Sequence, residues 1–249
     1  MRWSVQQMNA ETHTIVTVAK ATLRRIYARV MRRKLITAYR SRHVIVKIGL
    51  GAGVSRCEGW LSTDRDPPAR DIVYLDATKR FPFTDGSVDY FVAEHVIEHV
   101  PLSAGLFMLT ECFRALKPDG RIRISTPNIR RYQPLLCDEV VGDAELYMRW
   151  SNQMFGSTLD QSFALSGTVT FNRVVREWGH QFLYDADLLR QLLGRTGFVN
   201  VQQRLIGESD DPHLRGMELR AGGDFDFANS FETMVFEACK PKTDEPMRT

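Results

Sequence analysis

From Val44 onward, apolar runs and turn-forming residues alternate along the chain. Val44, Ile45, Val46 and Ile48 make a β-branched run that ends in Gly49, Gly51 and Gly53, the pattern of a buried strand feeding a tight turn. Gly59 to Asp64 reads as a second short strand ending in an acid, and Pro67-Pro68 breaks it. Asp71 to Asp76 reads as a third, again ending in an acid. Phe81-Pro82-Phe83 and a turn over Thr84 to Ser87 lead into a fourth strand, Val88 to Ala93. A helix is predicted from about Ala104 to Leu116, stopped by Pro118 and Gly120, before a strand over Arg121 to Ser125. Strand, helix and strand in repetition predict an α/β domain with a mostly parallel sheet covered on both faces.

The segment before Val44 has a different pattern. Between about Thr14 and Tyr39, Leu23, Ile26, Tyr27 and Val30 recur at helical spacing, with Arg24, Arg25, Arg29, Arg32 and Arg33 on the other side. Residues 1–43 hold ten Lys and Arg against one acid, Glu11, a net +9 in a chain of +3, so the remainder carries −6. Three readings of residues 14–42 follow: a helix packed on the domain with a solvated basic side, a peripheral contact with an anionic membrane or lipid-linked substrate, and nucleic-acid binding. The third has least support, because no interleaved aromatic residues or nucleic-acid module accompany the charge.

With 249 residues, 43% hydrophobic and 25% charged, the chain suits one globular domain over 44–240, a basic helical segment over 1–43 and a loose tail over 241–249. No run reaches the length of a membrane span, and no apolar segment with a cleavage site opens the chain. Cys57, Cys112, Cys137 and Cys239 are scattered, without metal-ribbon or disulfide spacing. A cytoplasmic protein with reduced thiols is expected, peripheral to the membrane if the basic helix docks there.

Ligands of open α/β sheets bind beyond the carboxyl ends of the strands, which puts the glycine turn, Asp64, Asp76 and the residues after Ala93 on one rim. A dinucleotide turn needs G-x-G-x-x-G to cradle pyrophosphate, but Val54 occupies the last of those positions. With the spacing Gly49, Gly51, Gly53 the ligand need not carry phosphate, and a carboxylate at Asp64 suits a ribose diol.

The ordered segments KIGLGAG, GWLSTD, YLDATKRFPF, SVDYFVAEHVIEHV and ECFRALKPDGRIRISTPN together resemble the class I S-adenosylmethionine-dependent methyltransferases of type 11. The likeness spans about Val44 to Asn128 and returns over Trp178 to Val201, which resembles the family's later helix and strand. It implies a Rossmann-like sheet with an antiparallel last strand, here Phe231, Thr233, Val235 and Phe236 to Cys239. It also implies S-adenosylmethionine as cofactor, with Gly49, Gly51 and Gly53 under the methionine part, Asp64 on the ribose, and Asp76 with Ala77 at the adenine. The position two before the first glycine, usually acidic in this family, is Lys47.

Methyl transfer to a hydroxyl needs alignment and a proton acceptor, and histidine is the natural base near neutral pH. The family places acceptor-facing residues after the fourth strand, where His95 and His99 stand, and near the late helix, where His180 follows Gly179. These three are the candidate catalytic residues. His95-x-x-Glu98-His99 also invites a metal reading, in which His95 and His99 share one face of a helix and His180 adds a ligand. The similar metal-binding methyltransferases carry E-x-x-E-H, so no metal is assigned.

Residues from about Ile129 to Trp178 are too many for a connection, and are expected to fold as a helical cap over the acceptor pocket. Tyr132, Tyr147, Trp150, Phe155, Phe163, Phe171 and Trp178 are expected mainly in the core of that cap. Asp211 to Arg220 is expected at a pocket edge. The function expected is O-methylation of a saccharide or lipid-linked saccharide. O- or N-methylation of a small aromatic or polyketide-like metabolite is the alternative enzyme reading, and a non-catalytic binding protein that keeps the fold is the alternative of another class.

Overall fold

The computed structural model describes residues 5–53, 57–157, 165–219 and 224–242, so Phe163, Arg220 and the tail beyond Lys242 lie outside the described residues. Seven strands form one sheet: β1 (Lys47–Leu50), β2 (Leu61–Asp64), β3 (Val73–Tyr74), β4 (Val88–Glu94), β5 (Leu116–Pro127), β6 (Val199–Arg204) and β7 (Thr233–Cys239), in the order β3-β2-β1-β4-β5-β7-β6. The first five are parallel, and β7 runs antiparallel between β5 and β6. On β5, neighbouring Ile122 and Arg123 point to opposite faces and are both fully buried, so the sheet centre is covered on both faces. Since β1 pairs with both β2 and β4, the chain reverses its winding there, and the carboxyl ends of these three strands share one rim.

The elements follow the predicted pattern with local differences. β3 is only two residues long, because Asp76 caps a turn instead: its Oδ1 accepts from the Thr78 N–H and hydroxyl at 3.0 and 2.7 Å. The predicted helix is α2 (Leu102–Ala115), and the strand after it begins at Leu116, already paired with Val88. Phe231 does not open the last strand. It ends α6 (Asp224–Glu232), where it stacks on Tyr147 at 4.6 Å, a packing demand that overrides the alternation running into β7.

Within the expected cap, Ile129–Leu136 forms 3-10 turns and α3 (Asp143–Phe155) and α4 (Gly167–Arg176) are helices. They pack with α6 around a second core of Tyr132, Leu135, Tyr147, Met148, Val174 and Phe231. Half-buried Glu232 holds this core together, accepting from the Tyr132 and Tyr147 hydroxyls at 2.9 and 2.5 Å. The cap aromatics therefore serve packing first.

α1 (Val5–Arg40) packs along the β3 edge through Ala28, Ile36 and Tyr39. The Tyr39 hydroxyl accepts from the Lys47 N–H at 3.0 Å and donates to the Gly59 carbonyl at 2.9 Å, fixing the helix end below β1. Leu23, Ile26 and Val30 are not part of that packed face. They are 67, 52 and 74% exposed.

Arg123 on β5 is fully buried. Its guanidinium donates from Nε and Nη2 to Glu218 at 2.8 and 2.6 Å, and from Nη1 to Glu237 at 2.6 Å and to the Glu208 carbonyl at 2.8 Å. This two-pronged bond draws the 205–218 loop onto the sheet. Arg123→Ala would leave buried Glu218 without its cation and Glu237 with Arg204 alone. A loss of about 3–5 kcal/mol is expected in urea unfolding, and an unchanged midpoint would show that the loop does not depend on the pair.

Candidate functional site

The glycine turn leaves β1 at the rim. Gly51 has φ +58°, and a Cβ there would meet Val96 Cγ2 at 2.5 Å; Gly53 has φ +51°. Both positions need glycine for the chain's own sake. At Gly49 and Gly53 a Cβ would meet nothing within 4 Å, so the turn opens on free space. Asp64, the last residue of β2, is held by the turn: its Oδ2 accepts from Gly53 N–H at 2.9 Å and its Oδ1 from Asp66 N–H at 2.7 Å.

Two cavities flank this turn. One, of about 310 Å³, is lined by Asp64, Asp76, Ala77, Val96 and His99; the other, of about 250 Å³, by Gly49, Ala52, Trp60, Glu94 and Met217. Leu50, Gly51 and His95 line both. Asp76 has its pKa lowered: burial raises it, but the Thr78 hydrogen bonds and Arg65 outweigh burial. Lys47, at the usually acidic position, does not line either cavity. Its ammonium lies 5.5 Å from the Trp60 ring centre.

Beyond β4 the chain turns at His95, whose φ is +50°, and only Ile97–His99 is helical, as a 3-10 turn. His95 and His99 are thus not on one helical face, contrary to expectation, because the left-handed residue breaks the helix before it starts. His95 Nδ1 lies 3.0 Å from Glu98 Oε1, and its Nε2 is 3.1 Å from the Thr233 hydroxyl. Glu98 is fully buried, and its Oε2 accepts from Thr126 at 3.0 Å. Burial lowers the His95 pKa, but the Glu98 bond and charge outweigh it and leave it raised; the same pairing lowers Glu98 against its own burial.

His180 reaches this place from the other end of the domain. Gln181 and Phe182 donate their N–H groups to the Glu98 carbonyl at 2.7 and 3.2 Å, and the Gln181 amide donates to the His99 carbonyl at 2.7 Å. The His99 and His180 rings meet edge to face, 5.0 Å apart. His180 Nδ1 is 2.6 Å from the Val174 carbonyl, which only accepts, so Nδ1 carries the proton and Nε2 keeps its lone pair. Burial lowers the pKa of His180, holding it neutral. Ligand atoms of Glu98, His99 and His180 all lie within 4.8 Å of one another, a spacing open to a metal ion. The structure thus gathers His95, His99 and His180, with His95 turned to its carboxylate partner.

Residues 52–124 match the family model described as a methyltransferase domain. The chain carries a methyltransferase domain over that stretch, and the cofactor its sequence motifs imply is S-adenosylmethionine. The residues fit that molecule: an open glycine turn, anchored carboxylates at one end and two cavities meeting at Gly51. Curated proteins yield no match. Among solved structures, the chain is similar to an S-adenosylmethionine-dependent methyltransferase of Archaeoglobus fulgidus, at 13% identity and TM-score 0.47, over 85% of this chain and 93% of that one. It is also similar to the Haemonchus contortus phosphoethanolamine N-methyltransferase 2, at 12% identity and TM-score 0.44, over 84% of this chain and 53% of that one. A Thermotoga maritima protein described as a possible histamine N-methyltransferase aligns at 12% identity and TM-score 0.46, over 92% of this chain and 97% of that one.

Sequence reasoning missed Glu94. It ends β4 as Asp64 ends β2, and that shared signal, an acid closing a rim strand, was available.

The His95–Glu98 pair makes a pH prediction. A raised histidine contributes stability fully below its ordinary 6.5 and loses it as pH rises through the folded value; a lowered glutamate contributes above its ordinary 4.5 and loses it as pH falls through the folded value. The stability difference between the protein and His95→Gln should therefore be largest between about 4.5 and 6.5 and shrink on both sides. Thermal melts across pH check it, and a flat difference would mean the pair is not ionic.

Proposed function

We propose that the domain methylates a hydroxyl, with the cofactor's adenosine end in the 310 Å³ cavity and its amino-acid end in the 250 Å³ cavity. The observation that carries this reading is the meeting of the two cavities at Gly51, with carboxylates at both ends. Asp64 accepts from the ribose hydroxyls, Asp76 and Ala77 border the adenine, and Gly49, Gly51 and Gly53 make room for the methionine chain. Glu94 is the one carboxylate lining the second cavity among the described residues, and it takes the ammonium group in place of the acid missing at Lys47. The cofactor supplies the electrophilic methyl group when bound. His99 on the cavity wall and neutral His180 behind it receive the acceptor's proton, while His95, engaged by Glu98 and Thr233, positions the turn.

A saccharide or lipid-linked saccharide is the acceptor this reading favours. A base cluster beside the cofactor cavities is what a hydroxyl needs, and among the described residues Trp60 is the one Phe, Tyr or Trp that lines them, which is little for a flat aromatic acceptor. The grouping of Glu98, His99 and His180 supports a second reading, in which a divalent ion held there orients the acceptor oxygen.

Calorimetry tests the cofactor part. Asp64→Ala should weaken S-adenosylhomocysteine by about 1.5–3 kcal/mol and 5′-methylthioadenosine as much, since both carry the ribose. Glu94→Gln should weaken S-adenosylhomocysteine about tenfold and leave 5′-methylthioadenosine, which lacks the amino acid, unchanged. Equal losses for both ligands in Glu94→Gln would remove Glu94 from the ammonium site.

Kinetics test the chemistry: His99→Ala or His180→Ala should lower kcat by about 10²–10⁴ with cofactor binding intact. Activity lost to chelator and restored by magnesium or manganese would favour the metal reading. Transfer of labelled methyl to catechol-type but not sugar acceptors would overturn the saccharide assignment.

A further inference from the structure

Among its described side chains α1 has two apolar rows, and one of them is covered. Ala28, Leu35, Ile36 and Tyr39 face the domain, whereas Leu23, Ile26 and Val30 lie close to the opposite side of the helix, at the 3- and 4-residue spacing that lines residues up. Exposed Arg33 and Lys34 flank the uncovered row, within a segment of net +9.

The row also has a definite place. Arg24 pairs with Asp66 at 3.6 Å, and Arg29 donates to the Tyr74 hydroxyl at 3.0 Å. Asp66 lies two residues beyond Asp64, and Tyr74 ends β3, so the uncovered row stands level with the rim that carries the cavities. The Tyr39 end of the helix lies below, at the start of β1.

We propose that this face docks on an anionic lipid surface, with Leu23, Ile26 and Val30 entering the headgroup boundary and flanking Arg33 and Lys34 meeting lipid phosphates. Charge decides the occupant. A second copy docking by the same row would bring two segments of +9 together, whereas an anionic membrane complements both features, apolar stripe and basic flanks. The docked geometry turns the cofactor rim toward the membrane edge, where a membrane-borne acceptor is presented. The proposal is independent of which residue removes the acceptor proton.

The test is flotation of the full chain with vesicles of phosphatidylcholine containing phosphatidylglycerol, compared with pure phosphatidylcholine, at about 50 and about 300 mM salt. The intact protein should float with the anionic vesicles at low salt and release at high salt. The Leu23→Ser/Ile26→Ser/Val30→Ser variant should keep its melting temperature and its S-adenosylhomocysteine affinity and lose vesicle affinity at least about tenfold. Should the triple variant fail to fold, Val30→Ser alone, at the most exposed position, should still lower flotation. No flotation of the intact chain at low salt overturns the proposal, as does equal flotation of the variants. A dimer by size exclusion that the substitutions dissociate, without vesicle binding, assigns the face to a second copy and also overturns it. Retention by RNA or DNA with no vesicle binding does the same.

Discussion

A buried carboxylate organises the site. Glu98 sits in the core with Thr126 of β5 on one oxygen and His95 on the other, while its backbone carbonyl receives Gln181 and Phe182. An unpaired carboxylate at such a depth would cost several kcal/mol, so the residue stays ionised only because its partners are in place. Those partners come from the end of β4, the end of β5 and the approach to α5 (Ala186–Thr196). Satisfying one buried residue, its carboxylate and its backbone carbonyl, thus joins three segments at the rim. The left-handed turn at His95 is the local strain this arrangement accepts.

The sheet supplies the complementary constraint. Parallel pairing of β1 with β2 and β4 leaves three strand ends side by side, and the reversal of winding at β1 opens a crevice between the loops that follow them. Gly51 cannot carry a side chain there because Val96 already fills the space, and that contact ties the glycine turn to the loop after β4. The cavities on either side of Gly51 are consequences of this contact. On the far side of the sheet, Arg123 holds the loop that brings Met217 to the second cavity, so a buried ion cluster supports the pocket wall from behind.

The second core has a separate logic. Its aromatic residues are spent on one another and on Glu232, which accepts from two tyrosines. This core keeps α4 and the Val174 carbonyl in position, and that carbonyl fixes the proton of His180. The cap therefore sets the tautomer of His180, which packs against His99, by holding a backbone acceptor.

The sequence by itself determined the local, periodic features. β-branched runs bounded by glycine and proline marked β1, β2, β4 and β5, and acids marked Asp64 at the end of β2 and Asp76 in the turn after β3, because burial and turn geometry leave their trace in neighbouring residues. Glu94 carried the same mark and was overlooked, and Phe231 was drawn into β7 because one residue of alternation cannot distinguish a strand from the last turn of a helix. What depends on contacts between distant residues was not legible. The meeting of Glu98 with His180, the pairing of Arg123 with Glu218 and the choice of Ala28 over Leu23 as the packed side of α1 were decided only by tertiary structure. The physical reason is that a hydrophobic row states that something will cover it, and a buried charge states that something will pair with it. Neither names the partner until the chain is closed.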